Sequence, residues 1–222
     1  MAARPPHQGR PTLRVTHAAP LPRLHAITDE RIARRADLDE IARQLAAGGG
    51  EQLAFHARGH ALSGLEHYEL AIRLSVYPST RLFVNDRLDV ALAAGAAGVQ
   101  LAGGSLDPEH ARRLDPKWWI GTSVHDLREA EAAQAAGADY LLVGPVFPTA
   151  THPSPARAPL GPGLVTGIVG LGLPVIAIGG VTPERLPELR AAGVYGVAAI
   201  RALWDAADPR ATARRMVQEL NQ

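Results

Sequence analysis

The phrase that most limits how this chain can fold occurs three times: "AGAAGVQL" at 94–101, "AGADYLLV" at 136–143 and "AGVYGVAA" at 192–199. In each, an Ala-rich, helix-spaced segment ends on a glycine and a run of small and branched apolar residues follows almost at once. Glycine closes a helix in the left-handed conformation at the lowest cost. So short a turn delivers the chain straight into a buried strand. The same alternation runs through the rest of the sequence with other turn residues. Strands are expected at 23–28, 51–59, 81–86, 98–104, 118–125, 140–147, 173–180 and 195–200. Helical segments follow at 32–47, 61–74, 88–94, from Pro108, at 126–136, 164–169, after Pro183 and at 209–220. The strands are short and apolar without strict alternation, as parallel strands covered on both faces are. Eight such units predict an α/β fold, a single closed (β/α)8 TIM barrel over 23–222. An open doubly wound sheet would use fewer strands, and its early G-x-G-x-x-G is missing.

Composition removes several function classes. There is no cysteine, so neither disulfides nor thiolate metal sites are available. A formal net charge of +1 with scattered signs gives no reason to expect nucleic acid or a membrane surface as partner. Residues 1–22 are rich in Pro and Arg and lack an apolar signal core. They read as a flexible tail, and the protein as cytoplasmic. Trp118 and Trp119 are adjacent and could make a contact in a homodimer.

A barrel of this kind carries its chemistry at the C-terminal ends of its strands. The residues there are Thr28, Asp29 and Glu30; His56 and Arg58; Asn85 and Asp86; Gly103, Gly104 and Ser105; Ser123 and His125; Thr149, Thr151 and His152; Gly179 and Gly180; and Arg201. The seventh and eighth strand ends are the usual phosphate site. There Gly179 and Gly180 allow close backbone approach, and Arg201 offers a fork of charged donors. Thr149 and Thr151 add hydroxyls. Of the nine histidines, His7 and His17 fall in the tail, and His60, His67 and His110 on helices or their edges, where solvent is expected; His25, within the first strand, reads either as a satisfied core or rim residue or as part of the site. His56, His125 and His152 face one mouth and suit acid–base work near neutral pH. No ligand spacing supports a zinc site from them.

Taken together, "LHAITD", "VND", "GVQL", "IGTSVHDLREA", "GADYLLVGPVFPTAT" and "PVIAIGG" resemble the thiamine phosphate synthase superfamily from about Leu24 to the end. That resemblance implies one of two activities. The synthase joins a pyrimidine diphosphate to a thiazole phosphate, with magnesium, and releases pyrophosphate. The thiazole tautomerase isomerises a 2-carboxythiazole phosphate to its aromatic form. The synthase pattern is Gln-x-Arg-x-Lys on the second strand, and it is matched here to Ala54, His56 and Arg58. A magnesium-binding Asp after the fourth strand is replaced by Ser105, with Asp107 nearby. The sixth-strand loop ends in His152 where the synthase has Lys. Asn85 and Asp86 keep the synthase's Asn-Asp.

Departure of a diphosphate calls for a metal and fixed cations, whereas a tautomerisation needs only an anion anchor and a proton carrier. The expectation is therefore a thiazole tautomerase, an isomerase without cofactor, acting on a small phosphorylated thiazole. His125 would carry the proton, with Ser123 and His56 along the ring and carboxylate. Arg58, Asn85, Thr149, Thr151, His152, Gly179, Gly180, Ile200 and Arg201 would bind substrate, the last in place of a family Ser. The alternatives are a magnesium-dependent synthase using Asp86 as metal ligand, a non-catalytic thiazole or thiamine phosphate-binding protein, and, more remotely, a sugar-phosphate epimerase.

Overall fold

The computed structural model describes residues 17, 19–149 and 158–222. The strands are β1 (Leu24–Ile27), β2 (Leu53–Ala57), β3 (Arg81–Asn85), β4 (Gly98–Leu101), β5 (Trp119–Val124), β6 (Tyr140–Val143), β7 (Val175–Ile178) and β8 (Gly196–Ala199). They pair in sequence order, all parallel. The ring closes through Leu24, which registers with Leu53 on one side and Val197 on the other. The expected TIM barrel is thus the fold.

The helices form the outer ring. They are α1 (Glu30–Ala33), α2 (Leu38–Gly49), α3 (Gly64–Ser75), α4 (Leu88–Ala93), α5 (Pro108–Leu114), α6 (Leu127–Ala135), α7 (Gly161–Val169), α8 (Leu186–Ala191), α9 (Arg201–Trp204) and α10 (Pro209–Leu220). Their starts follow local chemistry. Ser63 and Glu66 close a capping box at α3. Asp126 caps α6, and Asp208 caps α10 ahead of Pro209. The expected helix over 32–47 is split into α1 and α2, and the one-turn α9 lies outside the expected pattern, because a single turn carries no periodicity to read. Among the described residues no helix is long and apolar enough to cross a membrane.

Along each strand alternate residues point inward. His25, His56, Phe83 and Tyr140 form an interior layer of rings. His56 stacks on Phe83 with centroids 5.0 Å apart, and His25 lies 5.9 Å from Tyr140. Gly121 makes room for this layer, since a Cβ there would sit 2.1 Å from Tyr140 Cζ. Two residues further along their strands come Ile27, Arg58, Asn85, Ser123 and Leu142, which line the open mouth above.

Where the expected tail is described, it packs on the barrel. Leu21 is buried, its carbonyl accepts from the Tyr195 hydroxyl at 2.6 Å, and His17 stacks on Trp119 at 3.5 Å. Trp118 is core, so the tryptophan pair offers no exposed patch. His67, expected in solvent, is buried and donates from Nε2 to the Ala57 carbonyl at 2.9 Å, tying α3 to the end of β2.

Candidate active site

The mouth of the barrel opens into a cavity of about 680 Å³, within the usual range for a small-molecule site. Its walls come from every strand end. On the side of β2 and β3 stand Arg58, His60, Asn85 and Asp86; across the ring, beyond β6, β7 and β8, stand Thr149, Gly179, Gly180, Arg185, Ile200 and Arg201.

The first group is held by short-range bonds. Thr28 accepts from the Arg58 backbone N–H at 2.9 Å, and its hydroxyl lies 2.8 Å from the Arg58 carbonyl and 3.0 Å from that of His56. The Arg58 guanidinium donates to His60 Nε2 at 2.6 Å. Glu30 accepts from the Ala61 N–H, the main reason its pKa is lowered, and so ties down the loop after His60. Asp86 has φ +59°, the left-handed region that Asp tolerates better than most residues. Its Oδ1 accepts from the Ala102 N–H at 2.8 Å and from the Ser105 hydroxyl. The carboxylate therefore fastens the loop after β4 while lining the cavity.

On the far side, the glycines are required by the packing. Gly179 and Gly180 have φ +95° and +62°. A Cβ on Gly179 would lie 2.6 Å from Pro145 Cα, and one on Gly180 2.5 Å from the Pro148 carbonyl. Main-chain bonds from Val146 to Ile178 at 2.8 Å and from Phe147 to Gly179 at 3.0 Å lock the two loops together. Arg185 spans the junction. It donates to the Gly180 carbonyl, and its guanidinium lies 4.5 Å from the Phe147 ring centroid.

Ser123 accepts from Gln100 Nε2 at 3.0 Å. His125 is pinned twice by Glu129, whose Oε2 accepts from the backbone N–H at 2.7 Å and from ring Nδ1 at 2.9 Å.

The structure gathers Arg58, Asn85, Asp86, Ser123, His125, Thr149, Gly179, Gly180, Ile200 and Arg201 around one cavity. Thr151 and His152 lie outside the described residues. His56 is corrected: it is wholly buried one layer below and does not line the cavity. The inward positions that reach the mouth on and after β2 are Arg58 and His60. A Gln-x-Arg-x-Lys pattern whose cations face the mouth therefore falls on His56, Arg58 and His60, one inward position further on than first matched. Asp107 precedes α5 without a capping bond and does not line the cavity. Arg185 was missed. The signal was there: Pro183 at a helix start after Gly179-Gly180 puts the third residue of that turn back over the glycines.

Magnesium is a hard ion commonly held by one or two carboxylates, substrate phosphates and water. Asp86 with the Ser105 hydroxyl beside it suits that mode. Among the described residues no group of three or more acidic or histidine side chains stands ready to enclose a metal without such a substrate.

The model of a family described as thiamine monophosphate synthase matches residues 24–203. A thiamine-phosphate synthase of Salinispora tropica is 41% identical over 207 residues, covering 90% of this chain and 98% of that protein. One from Methanospirillum hungatei is 38% identical over 195 residues, covering 86% and 94%. Among solved structures, a thiamine phosphate pyrophosphorylase from Pyrococcus furiosus superposes with a TM-score of 0.77 at 33% identity, covering 90% of this chain and 95% of that one. These relatives overturn the tautomerase expectation. It rested on cations missing from two motifs, and the cavity carries Arg58, Arg185 and Arg201 nonetheless.

Proposed function

Because the chain belongs to the thiamine monophosphate synthase family, we propose that it is a cytoplasmic thiamine-phosphate synthase, a transferase that joins a pyrimidine diphosphate to a thiazole phosphate and releases pyrophosphate. The observation that carries the reading is the two-sided cavity. It offers anion-binding groups at opposite sides of one strand ring, as two phosphorylated substrates require.

Thr149, Gly179, Gly180, Ile200 and Arg201 would hold the thiazole phosphate. Backbone approach at the glycines and the Arg201 fork supply donors there. Arg58 and His60 would face the diphosphate. Asp86, with Ser105, would hold magnesium, which when bound offsets the charge that builds on the leaving diphosphate. Asn85, Ser123 and His125 sit between the two ends and would orient the rings, so that the thiazole meets the carbon losing its diphosphate. Holding both reactants in line removes much of the entropic barrier of a two-substrate reaction.

Calorimetry tests the arrangement. Thiazole phosphate and a non-reacting pyrimidine diphosphonate with magnesium are expected to bind together, each at its own end. Mutual exclusion of the two ligands would contradict it.

A further inference from the structure

The helix α3 is apolar on two opposite faces. Its inner face carries His67, Leu70, Ala71 and Leu74, all buried against β2 and β3. Its outer face carries Leu65, Tyr68 and Ile72, and the row continues to Val76, which closes the helix in a helical conformation. These side chains are 66%, 37%, 36% and 64% exposed. Their spacing of three, four and four residues keeps them in one line along the helix. The other twelve-residue helices, α2 and α10, turn no large apolar side chain to solvent. Packed beside α3, α4 adds the exposed Leu92. A helix that is apolar all round is one that is covered, and a contiguous outer patch of this kind marks a contact with another molecule.

The order of the residues says which molecule. A two-fold axis crossing the helix between Leu70 and Ala71 leaves Leu65 and Val76 equally far from it on either side, and Tyr68 and Ile72 within one residue of the same balance. In an antiparallel pair of α3 helices, Leu65 therefore meets Val76 of a second copy, and Tyr68 meets Ile72 of that copy. The charges obey the same symmetry. Glu69 and Arg73 lie together on one flank of the row. A two-fold axis brings that flank against its own copy, Glu69 opposite Arg73. Arg73 uses only Nε to reach Asp39, at 2.9 Å, and its two Nη groups make no hydrogen bond among the described residues. An unrelated partner would not call for so balanced a row.

We propose that the outer face of α3 joins two copies of the chain in an antiparallel, two-fold contact. The face runs the length of one helix, ~18 Å, and is smaller than the roughly 800 Å² that each partner buries in a standard stable interface. Self-association is therefore weak, with a Kd on the order of micromolar. The row stands on the outer ring of helices, so the contact leaves the mouth of the barrel open, and it does not depend on the catalytic reading.

Sedimentation velocity of the full chain, from below to well above micromolar concentration, tests this. A monomer that gives way to a dimer is expected. Tyr68→Lys, at an exposed position, is expected to stay monomeric. Glu69→Arg sets an arginine against Arg73 of the second copy, and Arg73→Glu sets a glutamate against Glu69 of the second copy. Each alone is expected to weaken association by roughly tenfold or more. Mixed in equal amounts, these two variants oppose unlike charges at both places, and a dimer of one with the other is expected where neither pairs with itself. Circular dichroism checks that every variant is folded. A chain that stays monomeric throughout would overturn the proposal, as would a dimer that Tyr68→Lys leaves intact. Charge variants that each associate as the unaltered chain does, or a mixture no tighter than either variant alone, would overturn the antiparallel two-fold contact.

Discussion

At the scale of single residues, the fate of His56 and Arg185 shows what a linear pattern carries. That Gly180 and Arg201 line the cavity follows from their places two residues beyond β7 and β8, where a barrel keeps its chemistry, and Thr149 reaches it from the loop after β6. His56 was read one layer too high, since an inward strand position can face either the mouth or the interior layer of rings and the sequence does not mark the boundary. Arg185 belongs to a turn whose folding back over Gly180 is a tertiary event. Arg185→Met keeps the aliphatic packing and removes the guanidinium. Affinity for thiazole phosphate is expected to fall by roughly tenfold or more, the scale of a charge-assisted hydrogen bond. Unchanged affinity, measured by calorimetry, would leave Arg185 only its bond to Gly180 and its place over Phe147.

At the scale of elements, the loops after β6 and β7 behave as one unit. Gly180 stands at a positive φ with the Pro148 carbonyl 2.5 Å from where a Cβ would lie. Gly180→Ala is expected to push these loops apart and weaken thiazole phosphate binding by at least about tenfold. Overpacking of this kind costs about 1–3 kcal/mol. A crystal structure of the variant with the loops unmoved, or an unaltered affinity, would contradict this. The long helices were readable because their periodicity spans several turns. The start of α7 at Gly161 lay three residues ahead of the expected helix, because Gly161 and Pro162 read as loop residues out of context. The single-turn helix α9 had no period to detect, and the break between α1 and α2 leaves no mark in the periodicity.

At the scale of the whole molecule, the ring of strands was the most legible feature, because eight repeats of one unit admit few closures. The interior layer of rings sets a cost the sequence did not reveal. His25 is held near 4 by burial, against an ordinary value of 6.5. Between those values the unfolded chain binds a proton that the folded chain refuses. Stability is therefore full above about pH 6.5 and falls as pH drops toward 4, by about 1.4 kcal/mol per pH unit for such a group. Urea unfolding at pH 7 and pH 5 would record this loss, and His25→Phe should lessen it; a flat profile would contradict a neutral buried pair. The central claim, that one cavity brings two phosphorylated substrates together, is tested most directly by mixing purified protein with a pyrimidine diphosphate, thiazole phosphate and magnesium and following thiamine phosphate and pyrophosphate over time. Equal amounts of both products, dependent on each substrate, are expected, whereas binding of both substrates with no product would contradict the account and leave a barrel that only binds.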